Sequence, residues 1–123
     1  MTAPTPAAWA AAGACVAALC SDVPVGGLDI VGDGQVWLPA SHHPDSGAVQ
    51  CVRAAGILAR RAAGGEPRPG DEHLPPDAWG GATSILVAHP DRLLDLACLI
   101  EELGVLTRNQ LLNVWAKREE NTS

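Results

Sequence analysis

The spacing of apolar positions changes several times along the chain, and each change predicts an element. Within Ala7–Cys20, Trp9, Ala12, Val16 and Leu19 recur at three- and four-residue intervals with small residues between them, which predicts a helix. From Val23 to Pro39 the period shortens. Leu28-Asp29-Ile30-Val31 and Gln35-Val36-Trp37-Leu38 are β-prone runs on either side of Gly32-Asp33-Gly34, a turn sequence that permits positive φ, so a β-hairpin is expected. The helical period then returns, from a cap at Asp45 or Ser46 to about Ala63. There Ala55, Ala59 and Ala63 repeat beside Val52 and Gly56, a strip small enough for another element to approach closely, while Arg53, Arg60 and Arg61 mark the expected wet side.

Gly64 to Gly81 is rich in Gly, Pro and charge and holds few aliphatic residues, so it is expected to be a surface loop, with Trp79 pinning it to the core or offered to a partner. Thr83–Ala88, TSILVA, is expected as a short buried strand able to join the hairpin as a third strand. The last third of the chain predicts two helices. The first starts at Pro90, whose fixed φ suits the first helical position, with Asp91 beside the positive end of the helix dipole. Leu93, Leu96, Ala97, Ile100 and Leu103 form its stripe, and Gly104 is placed to stop it in the left-handed region. Thr107 and Gln110 form a capping box for the second helix, with Leu106 and Leu111 as a hydrophobic staple. Leu111, Leu112, Val114 and Trp115 are its inward face, and Lys117 and Arg118 its C-terminal cations.

These elements specify a small, mostly helical α+β single domain with a β-hairpin and room for a third strand, ending in a helix-turn-helix-like helical pair. The expected element order is α-β-β-α-β-α-α. Residues 1–6 are expected as a disordered lead, 7–118 as the globular domain with 64–81 as its Gly/Pro-rich loop, and 119–123 as a disordered tail. A chain of 123 residues is long enough for one buried core.

Composition narrows the core and the partners. Phe and Tyr are absent, so bulk comes from Leu, Val, Ala and four Trp, and the core has to be close-packed from small pieces. Net charge of −6 with a pI near 5.0 argues against nucleic acid or an anionic membrane as the default partner. The apolar run at the start is too short to span a bilayer and lacks a positive region ahead of it, the first Lys or Arg being Arg53, so a soluble cytoplasmic protein is expected.

Candidate chemistry is sparse. A DNA-binding helix-turn-helix meets a register mismatch: with Gly104 on the turn glycine, Gln110 and Asn113 fall where the second helix should be buried, and Leu111 and Val114 are displaced by one residue, about 100° around a helix. Arg108 and Asn109 remain available to touch bases, and this regulator reading requires them to share one basic face with Arg118 and the Arg53–Arg61 helix. His42, His43 and Cys51, near Asp45, are weak candidates for a metal site or for a metal- or thiol-dependent enzyme. Their spacing fits no established zinc arrangement, and Asp71, Glu72 and His73 could add only distant ligands. Gly32-Asp33-Gly34 is not a phosphate loop, because neither a Lys nor a helix follows. The four cysteines, Cys15, Cys20, Cys51 and Cys98, sit in apolar helical contexts and are expected as buried, reduced thiols.

By elimination, the sequence favours a small acidic cytoplasmic interaction protein, an adaptor, inhibitor or assembly subunit that binds a protein partner or self-associates through helical surfaces. Its candidate contact residues are Arg53, Arg60, Arg61, Trp79, Arg108, Asn109 and Trp115. No cofactor and no catalytic residue are expected.

Overall fold

The computed structural model describes residues 4–30, 34–38, 46–65 and 74–122. Among these the order is α1 (Pro6–Cys20), β1 (Gly27–Asp29), β2 (Gln35–Trp37), α2 (Gly47–Ala62), α3 (Pro76–Ala88), α4 (Pro90–Leu103), β3 (Val105–Thr107) and α5 (Arg108–Thr122). The result is a small, mostly helical α+β domain.

Everything is arranged around α1. Its start is set by Thr5, whose hydroxyl oxygen accepts from the Ala8 N–H at 3.3 Å, followed by Pro6 in the first turn. A helix that is apolar on all sides belongs inside, and every residue from Ala10 to Ala18 is buried. α2, α3, α4 and both hairpin strands pack on it. Its end is a Schellman turn: Asp22 takes φ 57°, and the Val23 N–H reaches the Ala18 carbonyl at 2.8 Å while Val23 is buried. An Asp in this position carries both backbone strain and a negative charge beside the negative end of the helix. Asp22→Gly is therefore expected to stabilise the domain by about 1 kcal/mol in urea unfolding; a loss of stability would show that the Asp22 side chain has a compensating role.

The small-residue strip expected on α2 does admit a close neighbour, and that neighbour is α1. A Cβ added at Gly13 would fall 2.6 Å from the Ala59 Cβ and 2.8 Å from the Ala55 carbonyl oxygen, and one at Gly56 would fall 3.2 Å from the Ala10 oxygen. Ser46 caps α2 by accepting from the Val49 N–H at 3.2 Å, while the other expected cap, Asp45, lies outside the described residues.

The hairpin forms as expected, with Gly27 opposite Trp37, Leu28 opposite Val36 and Asp29 opposite Gln35; Gly32 and Asp33 lie outside the described residues. The third strand is not the expected one. Val105–Thr107 pairs antiparallel with β1, giving the order β2-β1-β3 and setting Leu106 opposite Leu28, both fully buried. Thr83–Ala88 instead completes α3. The helix begins with Pro76 and Asp77, so the expected loop ends by Pro75, and Trp79 is a helical residue. Ala78 and Ala82 turn inward one turn apart, and that helical burial overrides the β preference of Thr83, Ile85 and Val87.

The C-terminal pair follows its sequence signals closely. α4 opens at Pro90 and stops where Gly104 takes φ 80° and donates its N–H to the Ile100 carbonyl at 2.7 Å. Thr107 N–H donates to the Gln110 side-chain oxygen at 2.9 Å, and the Gln110 N–H returns to the Thr107 hydroxyl at 3.4 Å. Between the two helices lies β3 rather than a bare turn, and the backbone of α5 continues past the expected end at Arg118.

Candidate functional site

The described surface has an apolar groove of about 430 Å³, built from four helices. Trp9 of α1, Leu58 of α2 and Leu93 of α4 line it together with Thr83, Leu86 and Val87 of α3. The small side chains at the C-terminal end of α2, Ala59, Ala62 and Ala63, leave its floor shallow. The polar liner Thr83 donates its hydroxyl to the Trp79 carbonyl at 2.8 Å, so that donor is spent inside its own helix. Val87 stands at the groove with 74% of its surface exposed, the most exposed large hydrophobic residue described. None of the lining residues is titratable. Such a surface cannot transfer protons; what it offers is water exclusion around apolar groups.

The sequence-derived contact residues are dispersed. Arg53 is exposed on α2, but Arg60, expected on the wet side, is buried at 9% exposure, with Gly65 folded back against its side chain. The Arg61 guanidinium lies over the Trp79 ring at 5.8 Å, and Trp79, half-buried against the core, donates its indole N–H to the Leu74 carbonyl at 3.2 Å. Trp79 therefore fastens the start of α3. Trp115 is likewise half-buried, with the Arg92 guanidinium 3.9 Å over its ring and the His89 ring 6.2 Å away, which fixes α5 to the start of α4. Arg108 and Asn109 are exposed at the start of α5. α5 packs on β3 and α4, whereas α2 packs on α1 and α3.

His42 and His43 lie outside the described residues, as do Asp71, Glu72 and His73. No group of three or more His, Cys, Asp and Glu residues placed to hold a metal ion occurs among the described residues. Cys51 is buried, and that burial raises its thiol above the ordinary range. Cys15 is buried more completely, its thiol pushed up to about 12 first by burial and then by Cys20. The expectation of four buried thiols fails for Cys20 and Cys98, which are exposed, Cys20 as the last residue of α1. No helix of the described residues is long and apolar enough to cross a membrane.

The groove escapes the sequence reading because a strand is expected at 83–88. The signal that finds it is the Pro76-Asp77 helix start followed by Ala78, Ala82 and Leu86 at four-residue spacing, which leaves Val87 on the outside. Scans against family models, curated proteins and solved structures find no match to this chain.

Proposed function

We propose that the protein is a small interaction module whose groove between α1, α2, α3 and α4 receives the apolar side chains of a partner helix, presented by another protein or by a second copy. The observation that carries this reading is Val87: a β-branched aliphatic residue held in the open beside Leu58, Leu86 and Leu93, on an acidic chain of net charge −6. Helix-in-groove recognition uses anchors spaced along one helical face, and a channel of this size accommodates two or three aliphatic side chains, by comparison with ligand sites of roughly 300–1,000 Å³. The negative charge favours a partner helix with basic residues flanking its apolar face. Four cysteines, all free, fit a reducing compartment such as the cytoplasm.

A photoreactive residue at position 87 tests the assignment, with the adducts mapped by mass spectrometry and self-association followed by analytical ultracentrifugation. Crosslinks are expected on the apolar face of a helix. Val87→Glu, at a site exposed enough to leave folding intact, is expected to weaken the same association by about tenfold or more, roughly 1.4 kcal/mol. Association unchanged by Val87→Glu, or adducts confined to other surfaces, would overturn the groove as the contact site.

A further inference from the structure

Cys20 and Cys51 occupy facing positions of the α1–α2 pair. The helices run antiparallel, because Gly65, just past α2, meets Pro6 at the start of α1, where an added Cβ would be 3.2 Å from the Pro6 Cβ. Gly13 faces Ala55 and Ala59. Cys20, seven residues beyond Gly13, returns to within about 20° of the same face and lies roughly 10 Å further along α1. The same displacement along α2, in the opposite chain direction, leads from the Ala55–Ala59 turns to the turn holding Cys51, which precedes Ala55 in the same four-residue row. Cys20 is open to solvent, while Cys51 is nearly covered. The Cys51 sulfur abuts position 81, where a Cβ would be 3.5 Å away; glycine there leaves it room to turn.

We infer that Cys20 and Cys51 form a reversible dithiol–disulfide pair, with Cys20 as the attacking thiol and Cys51 as the resolving one, oxidised by a low-molecular-weight disulfide. The Cys20 thiolate attacks one sulfur of the oxidant, forming a mixed disulfide and releasing one thiolate. The Cys51 thiolate then attacks the Cys20 sulfur and expels the second. Two protein thiols are oxidised by two electrons, one external disulfide is reduced to two thiols, and the two protein protons end on those thiols. Access assigns the roles. The Cys20 thiol stands above its ordinary range, raised first by burial and also by Cys51, with the Arg92 charge acting against them, so attack by this exposed thiol belongs to mildly alkaline pH. Cys15, held near 12, stays protonated and takes no part. Closure would tether the end of α1 to the start of α2 across the hairpin.

The test is whole-protein mass spectrometry of the reduced full chain after exposure to oxidised glutathione in mildly alkaline buffer. The wild type is expected to lose the mass of two hydrogens, with a peptide map joining Cys20 to Cys51. Cys98→Ser should close in the same way, and Cys51→Ser should instead accumulate a stable glutathione adduct on Cys20. A wild type that stops at glutathione adducts, or closes through Cys15 or Cys98, overturns the pairing. The wild-type map decides the question even if Cys51→Ser folds poorly.

Discussion

Gly13→Leu is expected to unfold the domain or to lower its thermal midpoint by roughly 10 °C or more. Helix propensity alone predicts the opposite, since replacing an interior glycine by leucine gains about 1 kcal/mol. Sterics decide the sign. The first added atom would already sit 2.6 Å from the Ala59 Cβ and 2.8 Å from a backbone oxygen, that of Ala55, which has no rotamer to escape into. The remaining leucine carbons have to force α1 and α2 apart along their whole contact. Overpacking of this kind costs about 1–3 kcal/mol where neighbours can yield and more where backbone blocks them, so a net loss of about 3 kcal/mol or more is expected. Trimming Ala59 to glycine removes only one of the two obstacles and should rescue little. Gly80, exposed on α3 with nothing beyond its own helix backbone within 4 Å of where a Cβ would stand, provides the contrast: Gly80→Ala should gain up to about 1 kcal/mol. Denaturant melts of the two variants check both signs, and a stable Gly13→Leu would mean that the helices do not meet at this glycine.

Leu106→Ala is the second large expected loss, about 3 kcal/mol. Leu106 is the central residue of β3 and is fully buried opposite Leu28; it also precedes the Thr107 cap of α5, and Leu111 in the first turn of that helix is buried in the same cluster. Truncation removes the transfer free energy of the lost methylenes and leaves a cavity where strand and helix meet. Buried Leu→Ala changes cost about 2–5 kcal/mol, depending on how far the site collapses. Three-residue strands have little hydrogen bonding of their own, so β3 should detach from β1 before α1 and α2 separate. Hydrogen exchange of the variant should therefore show lost protection at Leu28 and through the start of α5, with α1 the last to exchange. Uniform loss of protection would indicate that the sheet and the helices unfold as one unit.

Much of the fold is legible in the sequence where a local signal and tertiary burial agree. Thr107 and Gln110 announce a cap and make it; Gly104 announces a left-handed stop and takes it; Ala55, Gly56 and Ala59 announce close approach and receive Gly13. Legibility fails where two signals compete. TSILVA is β-prone residue by residue, yet the helix started by Pro76 and Asp77 carries through it, because Ala78 and Ala82 bury on the helical period. Val105–Thr107 is hidden by its neighbours: a stop signal and a cap signal stand so close together that a turn is the natural expectation, and only the pairing with β1, distant in sequence, reveals a strand. The groove shares this non-local character. Each of its liners is an ordinary core or flank residue of its own helix, and the opening exists only where four helices fail to close. The tryptophans show the converse. Trp79 and Trp115 are conspicuous in the sequence as contact candidates, and the fold uses each, with Arg61 or Arg92 laid against it, to fasten a helix.

The burial of α1 on every side also bears on synthesis. Among the described elements the helix leaves the ribosome ahead of all others, and α4, one of its principal covers, is made only after the hairpin, α2 and α3. Until then an alanine-rich rod that carries Cys15 and Val16 has no complete shelter. Nascent chains arrested before Leu103 should bind chaperones and proteases far more readily than the finished domain, and slow translation between α3 and α4 should lower yield without altering the native state.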